Sequence, residues 1–332
     1  MIAMRSAIDD ASRRWLRCMI VLAMAHGMTS VTVAQEFDQT LTAPMTPTTT
    51  TGGTAGSVFP RGGGTTYFVG IDGSKQPQDY GVNANLGLRL SAEYSGPLWD
   101  AAGVGFQIGS AVEWSDNAVR VYELIGQVTE RFQNHTTAGV FARGTSSGST
   151  LSDRLGWALA VDHLYQDGYD SVSLFQLRGR LQSEATSRDS IGVTGRFELD
   201  DATARFGGEN VTLRSINQYD LFWRHYFATG VQTTASVGVA ERHGEHNAVT
   251  GPSPSFDEAF VVGADFLAPV STSVAIYGET NLIFPADTGT VDAFLGMAWF
   301  PGRRASMVRR GRYDAMQPLA SDTTFPVDLI HP

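Results

Sequence analysis

The chain has 332 residues, a formal net charge of −10 and a hydrophobic fraction of 42%. Its basic residues are scattered arginines, with Lys75 as the only lysine, and an acidic chain of this kind does not fit a nucleic-acid-binding protein. The single cysteine, Cys18, lies near the start, so disulfide bonds and thiol chemistry are excluded from the rest of the chain.

Residues 1–34 have the features of a secretory signal peptide. Arg13, Arg14 and Arg17 form a positive region, and an apolar stretch begins at Cys18. The small residues that end at Ala34 suit signal peptidase, so the sequence predicts cleavage after that residue. A membrane anchor is the alternative, but the apolar stretch is shorter than the roughly 20 residues that a spanning helix needs.

Residues 35–66 are predicted to form a disordered lead. The runs TAPMTPTTTTGGTAG and RGGGTT are rich in Thr, Gly and Pro and show no apolar periodicity. Such a segment cannot bury enough apolar surface to offset the entropy of ordering it. We therefore expect the folded domain to begin near Tyr67.

The clearest signal in the chain is the alternation along residues 80–94. Leu86 and Leu88 share one face of an extended strand, while Arg89 and Glu93 lie on the other face. Soluble strands usually have about five or six residues, whereas a membrane-crossing strand needs about 9–11. The length of the alternation therefore favours a strand that crosses a membrane.

The same pattern recurs along residues 67–300 and predicts an all-β domain. We expect an antiparallel up-and-down transmembrane β-barrel of about 12 strands, within a range of 10 to 14, as in bacterial outer-membrane proteins. The expected strands are 80–94, 104–114, 119–132, 136–144, 155–164, 175–182, 191–199, 213–227, 231–239, 258–267, 274–284 and 291–300. A secreted soluble β-sandwich or lectin-like protein, with its apolar face turned inward, is the alternative.

Residues rich in Gly, Pro, Asn and Asp predict the turns of this barrel. The expected turns are Gly96-Pro97, Asp116-Asn117, Asn134-His135, Asp167-Gly168 and 285–289. With both termini in the periplasm, the external connections are expected to be 95–102, 200–212, 242–257 and 285–290. From Pro301 the alternation is lost, so residues 301–332 are predicted to be an irregular, solvated, arginine-rich tail.

Charged residues on the polar faces form the candidate site, because they project into the lumen if the apolar faces meet lipid. The predicted lumen-lining residues are Arg89, Glu93, Glu113, Arg178, Arg180, Arg196, Glu198 and Glu279. They either pair with one another in a narrow barrel or line an ion-selective pore. A barrel of about twelve strands lies between filled eight-stranded barrels and open ones of sixteen or more, and we expect a plugged or very narrow lumen.

No catalytic residue, metal site or cofactor is predicted. Asp162-His163 could orient a general base, but no nucleophile motif such as GxSxG accompanies it. The run RHGEH, residues 242–246, has metal-binding residue types without the i, i+4 spacing on a helix or an evident fourth ligand. A hydrated loop is the better interpretation of that run.

Three runs carry a resemblance to a known family. WALAVDHLYQDGYDSVSLFQLRGRL (Trp157 to Leu181), YGVNANLGLRLS and AVEWSDN (Ala111 to Asn117) resemble an uncharacterised family of exported bacterial outer-membrane-type β-barrel proteins. The resemblance covers most of residues 67–300 and implies an exported barrel. It implies no activity, because that family has none assigned.

Taken together, these features predict a non-enzymatic protein of the cell outer membrane, either a passive pore or a structural membrane protein. Its expected partners are outer-membrane lipid and small solutes in the lumen, with no nucleic acid. An outer-membrane barrel hydrolase and a secreted soluble binding protein are the alternatives. The sequence does not specify a solute or an oligomeric state.

Overall fold

The computed structural model describes residues 63–75, 85–116, 130–144, 150–168, 170–206, 209–243, 256–284 and 290–330. The predicted signal peptide, residues 1–34, and most of the predicted lead therefore lie outside the described residues. Among those that are described, no helix is both long enough and apolar enough to cross a membrane.

Twelve antiparallel strands in the described ranges close into a barrel. The barrel strands are β1 (Gly64–Lys75), β2 (Asn85–Trp99), β3 (Val104–Asp116), β4 (Glu130–Ala142), β5 (Leu155–Asp167), β6 (Ser171–Glu184), β7 (Asp189–Glu198), β10 (Gln218–Tyr226), β11 (Gln232–His243), β12 (Phe256–Pro269), β13 (Val274–Phe284) and β14 (Val291–Trp299). Consecutive barrel strands pair with one another, and β14 pairs with β1 to close the sheet. The predicted all-β, up-and-down antiparallel barrel of about twelve strands is confirmed.

Three further strands form a small separate sheet. Strands β8 (Asp201–Phe206) and β9 (Glu209–Ser215) form a hairpin in the connection between β7 and β10, and β15 (Val327–Ile330) pairs with β9. Helical structure in the described residues is limited to short turns. They are α1 (Leu151–Arg154) and two 3-10 turns, Asp100–Ala102 and Ala305–Met307.

The predicted strand number is right although two of its strands were placed wrongly. Strand β1 starts at Gly64, inside the segment predicted to be a lead, and was missed. The strands predicted at 119–132 and 136–144 correspond to β4 alone, and residues 117–129 lie outside the described set. The two errors cancel in the count.

Two predicted turns lie within strands. Asn134 and His135 are in the middle of β4, where they pair with Val112 and Ala111 of β3. Their residue types resemble a turn, but His135 faces the polar lumen, and Asn134, on the outer face, donates to Ser110 Oγ of β3 over 2.9 Å. Gly96-Pro97 lies near the end of β2, at an irregular register where proline is tolerated. The turn predicted at Asp167-Gly168 is confirmed between β5 and β6.

Strand direction defines two ends of the barrel. We term the end where β1 starts and β14 stops the near end, and the opposite end the far end. Of the described connecting residues, 100–103, 143–144, 150–154, 185–188, 227–231 and 270–273 lie at the near end, and 168, 170, 199–206, 209–217 and 290 lie at the far end. The prediction that 95–102 and 200–212 share one side is wrong, because the missed β1 reverses the direction of β2.

The barrel is apolar outside and polar inside. Leu88 is 46% exposed on the outer face, whereas its neighbour Arg89 is 2% exposed. Exposed large apolar side chains occur on the outer face of strand after strand, a larger apolar surface than soluble monomers usually present to water. This arrangement is the reverse of a soluble β-sandwich, so the fold excludes that alternative.

Candidate functional site

The chain that follows β14 runs lengthwise through the barrel. We term residues 301–330 the C-terminal segment. At the near end, Arg303 donates to Thr66 Oγ1 over 2.9 Å, and the Ala305 amide donates to the carbonyl of Thr272 over 2.7 Å. The segment ends in β15, which is paired with β9 at the far end. It therefore enters at one end of the lumen and reaches the other.

Most of this segment is buried. Tyr313, Met316 and the residues from Ala320 to Asp328 lie almost entirely out of solvent. The prediction of a solvated tail is therefore wrong for residues 313–328, whereas Arg304, Arg310 and Arg312 before them are exposed. Its polar composition suggested water as the surroundings, but the structure supplies a polar barrel wall instead.

Wall side chains satisfy the backbone of the segment. The Gln107 amide donates to the Gln317 carbonyl over 3.1 Å, and the Gln176 amide donates to the Thr324 carbonyl over 2.8 Å. Buried backbone groups without a helix or sheet ladder need such partners. Glutamine and arginine side chains of the wall therefore act as the hydrogen-bonding frame of the segment.

The most buried charged pair belongs to this frame. Arg178 is 1% exposed and donates to Asp162 Oδ1 and to the Pro318 carbonyl, each over 2.8 Å. Thr137 donates to the same Asp162 oxygen over 2.8 Å and accepts the Ala320 amide over 2.9 Å. A single network thus joins strands β4, β5 and β6 to the segment.

The eight predicted lumen residues do not form one site. Arg89 contacts Glu113 and donates to the Ala320 carbonyl over 3.0 Å, while Glu279 accepts from Thr323 over 2.9 Å. Five of the eight are buried inside the barrel, and the other three are half-buried. The buried ones are Arg89, Glu113, Arg178, Arg180 and Arg196, and the half-buried ones are Glu93, Glu198 and Glu279.

The Asp162-His163 pair considered for catalysis cannot act as a dyad. Asp162 is buried in the lumen beside Arg178, whereas His163 lies on the outer face against the ring of Phe175, with centroids 4.6 Å apart. Adjacent strand residues point to opposite faces of the sheet, so the two side chains are separated by the wall.

Of the run RHGEH, His243 ends β11 and residues 244–246 lie outside the described set.

Sequence reasoning missed several charged residues that the structure brings into the lumen. They are Asp72, Arg131, His135, Asp162, Asp220, Arg224, Asp265 and Asp322. Those on the strands have the same inward parity as the predicted set, so alternation could have found them once the strand was placed correctly. Asp322 has no such signal, because the C-terminal segment has no period.

Apolar clusters close both ends of the lumen. At the near end, Phe300, Ala305 and Val308 pack with Phe68 and Phe294. The far-end cluster joins the segment, the β8–β9 hairpin and strands β5 and β6, and its members are Leu164, Val172, Leu174, Ala204, Val211, Leu213, Phe325 and Val327. The segment is therefore anchored by apolar contacts at its two ends and, between them, by polar contacts and by Met316, which packs on Phe141 and Ala158.

The wall is shaped for close approach of the segment at Gly109. A Cβ at this position would lie 2.9 Å from the Leu319 Cδ1 atom and 2.8 Å from the carbonyl of Ala92.

At the near-end rim, Tyr313 donates its hydroxyl hydrogen to the Asp100 carboxylate, and this hydrogen bond raises the pKa of Tyr313.

Two cavities of about 70 Å³ each remain beside the segment. One is lined by Arg180, Arg196 and Asp220, and the other by Glu93 and Arg309 among others. A water molecule needs about 10–15 Å³ of such space, so each cavity has room for a few water molecules.

Comparison with known proteins gives a family and a set of similar folds. The model of a family of unknown function, DUF6666, matches residues 64–327. No curated protein matches the sequence.

Solved structures with a similar fold are outer-membrane barrels. The beta domain of the Bordetella autotransporter BrkA is 12% identical, with 72% of this chain and 99% of that chain covered and a TM-score of 0.43. Outer membrane phospholipase A from Escherichia coli is 10% identical, with 73% and 97% covered and a TM-score of 0.40. The KdgM porin is 10% identical, with 71% and 98% covered and a TM-score of 0.37. Each is a likeness of fold.

Proposed function

We propose that this chain, which belongs to the DUF6666 family of unknown function, is an outer-membrane channel protein held closed by its own C-terminal segment. The observation that carries the proposal is the segment itself, which fills the lumen from the near end to the far end on polar side chains of the wall. Displacement of the segment would leave a lumen lined with charged and amide groups, as in a channel for small polar solutes.

The outer face supports location in a membrane. A closed barrel is the form in which a sheet crosses lipid without unpaired backbone groups at its edges. Val161, in the middle of β5, and Leu88, in β2, face outward with exposed apolar side chains. Contact with acyl chains would remove this surface from water. The predicted signal peptide supplies the route of export.

The role that we propose is non-enzymatic. Asp162 is engaged by Arg178, Thr137 and Gln176, which leaves it in a structural network. His163 is on the other side of the wall. The charged groups of the described lumen are therefore best explained as a frame for the segment and, after its displacement, as the lining of the channel.

A charge on the outer face tests the membrane location. We expect Val161→Arg to lower the free energy of unfolding by about 2–4 kcal/mol, because arginine at the bilayer midplane is costly, whereas Leu98→Arg near the rim should cost about 0–1 kcal/mol. Val161 is 43% exposed and Leu98 is 60% exposed, so neither substitution disturbs the lumen. Urea unfolding in lipid vesicles, followed by tryptophan fluorescence, measures both. If both substitutions lowered the free energy of unfolding by the same small amount, the outer face would be in contact with water and not with lipid.

A reversible tether tests the channel. Thr137→Cys and Ala320→Cys introduce two thiols at residues in direct contact, since the Ala320 backbone amide donates to the Thr137 hydroxyl over 2.9 Å. We expect the openings that mild urea induces in planar bilayers to disappear when this pair is oxidised and to return after reduction. The reason is that the disulfide holds the segment in the lumen.

Thr136→Cys with Ala320→Cys is the matched control. Thr136 neighbours Thr137 but lies on the outer face of β4, so this pair cannot form the tether. Its openings should be insensitive to oxidation. Openings that persist in the oxidised Thr137→Cys/Ala320→Cys protein would show that ions pass without displacement of the segment, against the proposal.

A further inference from the structure

We propose that Glu113, His135 and Asp322 form a binding site for a divalent transition metal ion, with Zn²⁺ as the best match. The ion would join the C-terminal segment, through Asp322, to strands β3 and β4 of the wall. The site is inferred from its geometry alone, whereas its role in holding the segment in the lumen rests on the proposed channel function.

The distances between the three side chains are those of metal ligands. His135 Nε2 lies 3.5 Å from Glu113 Oε2 and 3.5 Å from Asp322 Oδ1. One potential ligand atom from each residue lies within 4.8 Å of the others. Nitrogen and oxygen ligands about 2.0–2.2 Å from a tetrahedral zinc ion are roughly 3.3–3.6 Å from one another. The two distances from His135 therefore suit ligands of one central ion, and the Glu113 and Asp322 oxygens lie within 4.8 Å of each other.

Unpartnered buried atoms point into the same place. His135 is 0% exposed; its Nδ1 atom has no hydrogen-bond partner, and its Nε2 atom has only the two carboxylate contacts at 3.5 Å. Glu113 Oε2 is also buried without one, although the other oxygen of this carboxylate contacts Arg89. Buried polar atoms without partners are unusual and costly, and an ion among them satisfies the His135 Nε2 and Glu113 Oε2 atoms together.

The groups around the cluster orient its ligands. Arg131 lies 3.3 Å from Asp322 Oδ2, and the Gln133 amide donates to Asp322 Oδ1 over 3.0 Å. Arg89 holds Glu113 in the same way. Such outer contacts fix the direction of metal ligands.

Two carboxylates and two guanidinium groups surround His135. Glu113 and Asp322 contribute two negative charges, which the positive charges of Arg89 and Arg131 balance. A metal ion and a proton on His135 compete for this position, so binding of the ion releases that proton and strengthens as the pH rises.

The donor set selects the kind of ion. One imidazole nitrogen with two carboxylate oxygens suits zinc and its neighbours, whereas calcium and magnesium take oxygen ligands in larger number. Three protein ligands leave a fourth tetrahedral position for a water molecule. Zn²⁺ is therefore the expected ligand, and Mg²⁺ and Ca²⁺ are expected to bind at least tenfold more weakly.

Zinc titration of the full chain tests the site. The detergent-solubilised protein is treated with a chelator, exchanged into buffer and titrated with Zn²⁺ in a calorimeter. We expect one ion per chain, with the affinity reduced at least tenfold in His135→Gln and in Asp322→Asn. His163→Gln is the matched control, because this histidine lies on the outer face, and it should bind as the wild type does.

Visible absorption of bound Co²⁺ provides a second measurement of metal binding, made only on variants that are shown to be folded. Co²⁺ in a site of this kind absorbs visible light, and the band should be present in the wild type and in His163→Gln. Each variant is first checked for the gel mobility of the folded, unboiled barrel. The absence of stoichiometric zinc in the wild type, or equal binding in His135→Gln, would overturn the site and leave His135 as a protonated bridge between two carboxylates.

The outcomes separate the site from the channel. If zinc binds and the openings in planar bilayers become rarer in its presence, both the site and its role in holding the segment are supported. If zinc binds and the openings are unchanged, that role is overturned and the site stands. If zinc does not bind, the site is overturned, while the tether experiment still decides the channel.

Discussion

Removal of the C-terminal segment is expected to convert a closed barrel into a conducting one. Truncation after Phe300 leaves the twelve barrel strands complete and takes away every described residue that occupies the lumen. Each hydrogen bond between the wall and the segment contributes about 1 kcal/mol, so losing several shifts the balance between closed and open by at least about a hundredfold. Planar-bilayer recording should show long openings where the full chain shows brief and rare ones.

A shorter truncation gives the control. Truncation after Pro326 removes β15 and leaves residues 301–326 in the lumen, including Gln317, Pro318 and Asp322, so this variant should remain closed. The gel mobility of the unboiled protein shows whether each variant forms a barrel. A folded protein truncated after Phe300 that passes no current would refute the channel, because the lumen would then be closed without the segment.

The second large effect is expected at Arg178. Arg178→Ala should lower the free energy of unfolding by about 3–5 kcal/mol, because it leaves a buried carboxylate without its charge partner. Asp162 is 0% exposed, and the Pro318 carbonyl would lose its donor as well. Urea unfolding in detergent micelles, followed by tryptophan fluorescence, measures the loss.

The double variant Arg178→Met/Asp162→Leu is the control. Replacing both charges with apolar groups of similar size is often neutral or stabilising, so the double variant should be clearly more stable than Arg178→Ala. A loss below about 1 kcal/mol for Arg178→Ala would mean that water reaches Asp162 and takes over the role of the guanidinium. The lumen would then be hydrated and not filled.

The barrel itself could be predicted because the alternation that marks a strand is visible among neighbouring residues of the sequence. Leu88 and Arg89 differ in exposure because neighbouring strand residues face opposite sides, and that pattern needs no knowledge of the partner strand. Tyr67, Val69 and Ile71 of β1 follow the same rule, with all three exposed on the outer face. They fall within the range predicted for the barrel, but the first strand was assigned only from residue 80.

The burial of the C-terminal segment in the lumen could not be predicted, because it depends on contacts between residues that are far apart in the sequence. Gln107 bonds to Gln317, and Arg178 bonds to Pro318, across separations of 210 and 140 residues. A glutamine that faces a lumen has the same appearance in sequence whether water or a chain is its partner. Asp322 likewise resembles a surface residue until the wall around it is known, so the metal cluster has no signature along the chain.

The path of the last thirty residues has a consequence for the order of assembly. The C-terminal segment lies inside the barrel, and the bond from Arg89 to Ala320 spans 231 positions. Contacts of such separation form slowly, because the entropy of loop closure precedes any gain from them. We therefore expect the wall to be largely complete, with its arginines and glutamines still hydrated, before the segment packs inside it. Release of that water would then accompany a late step of folding.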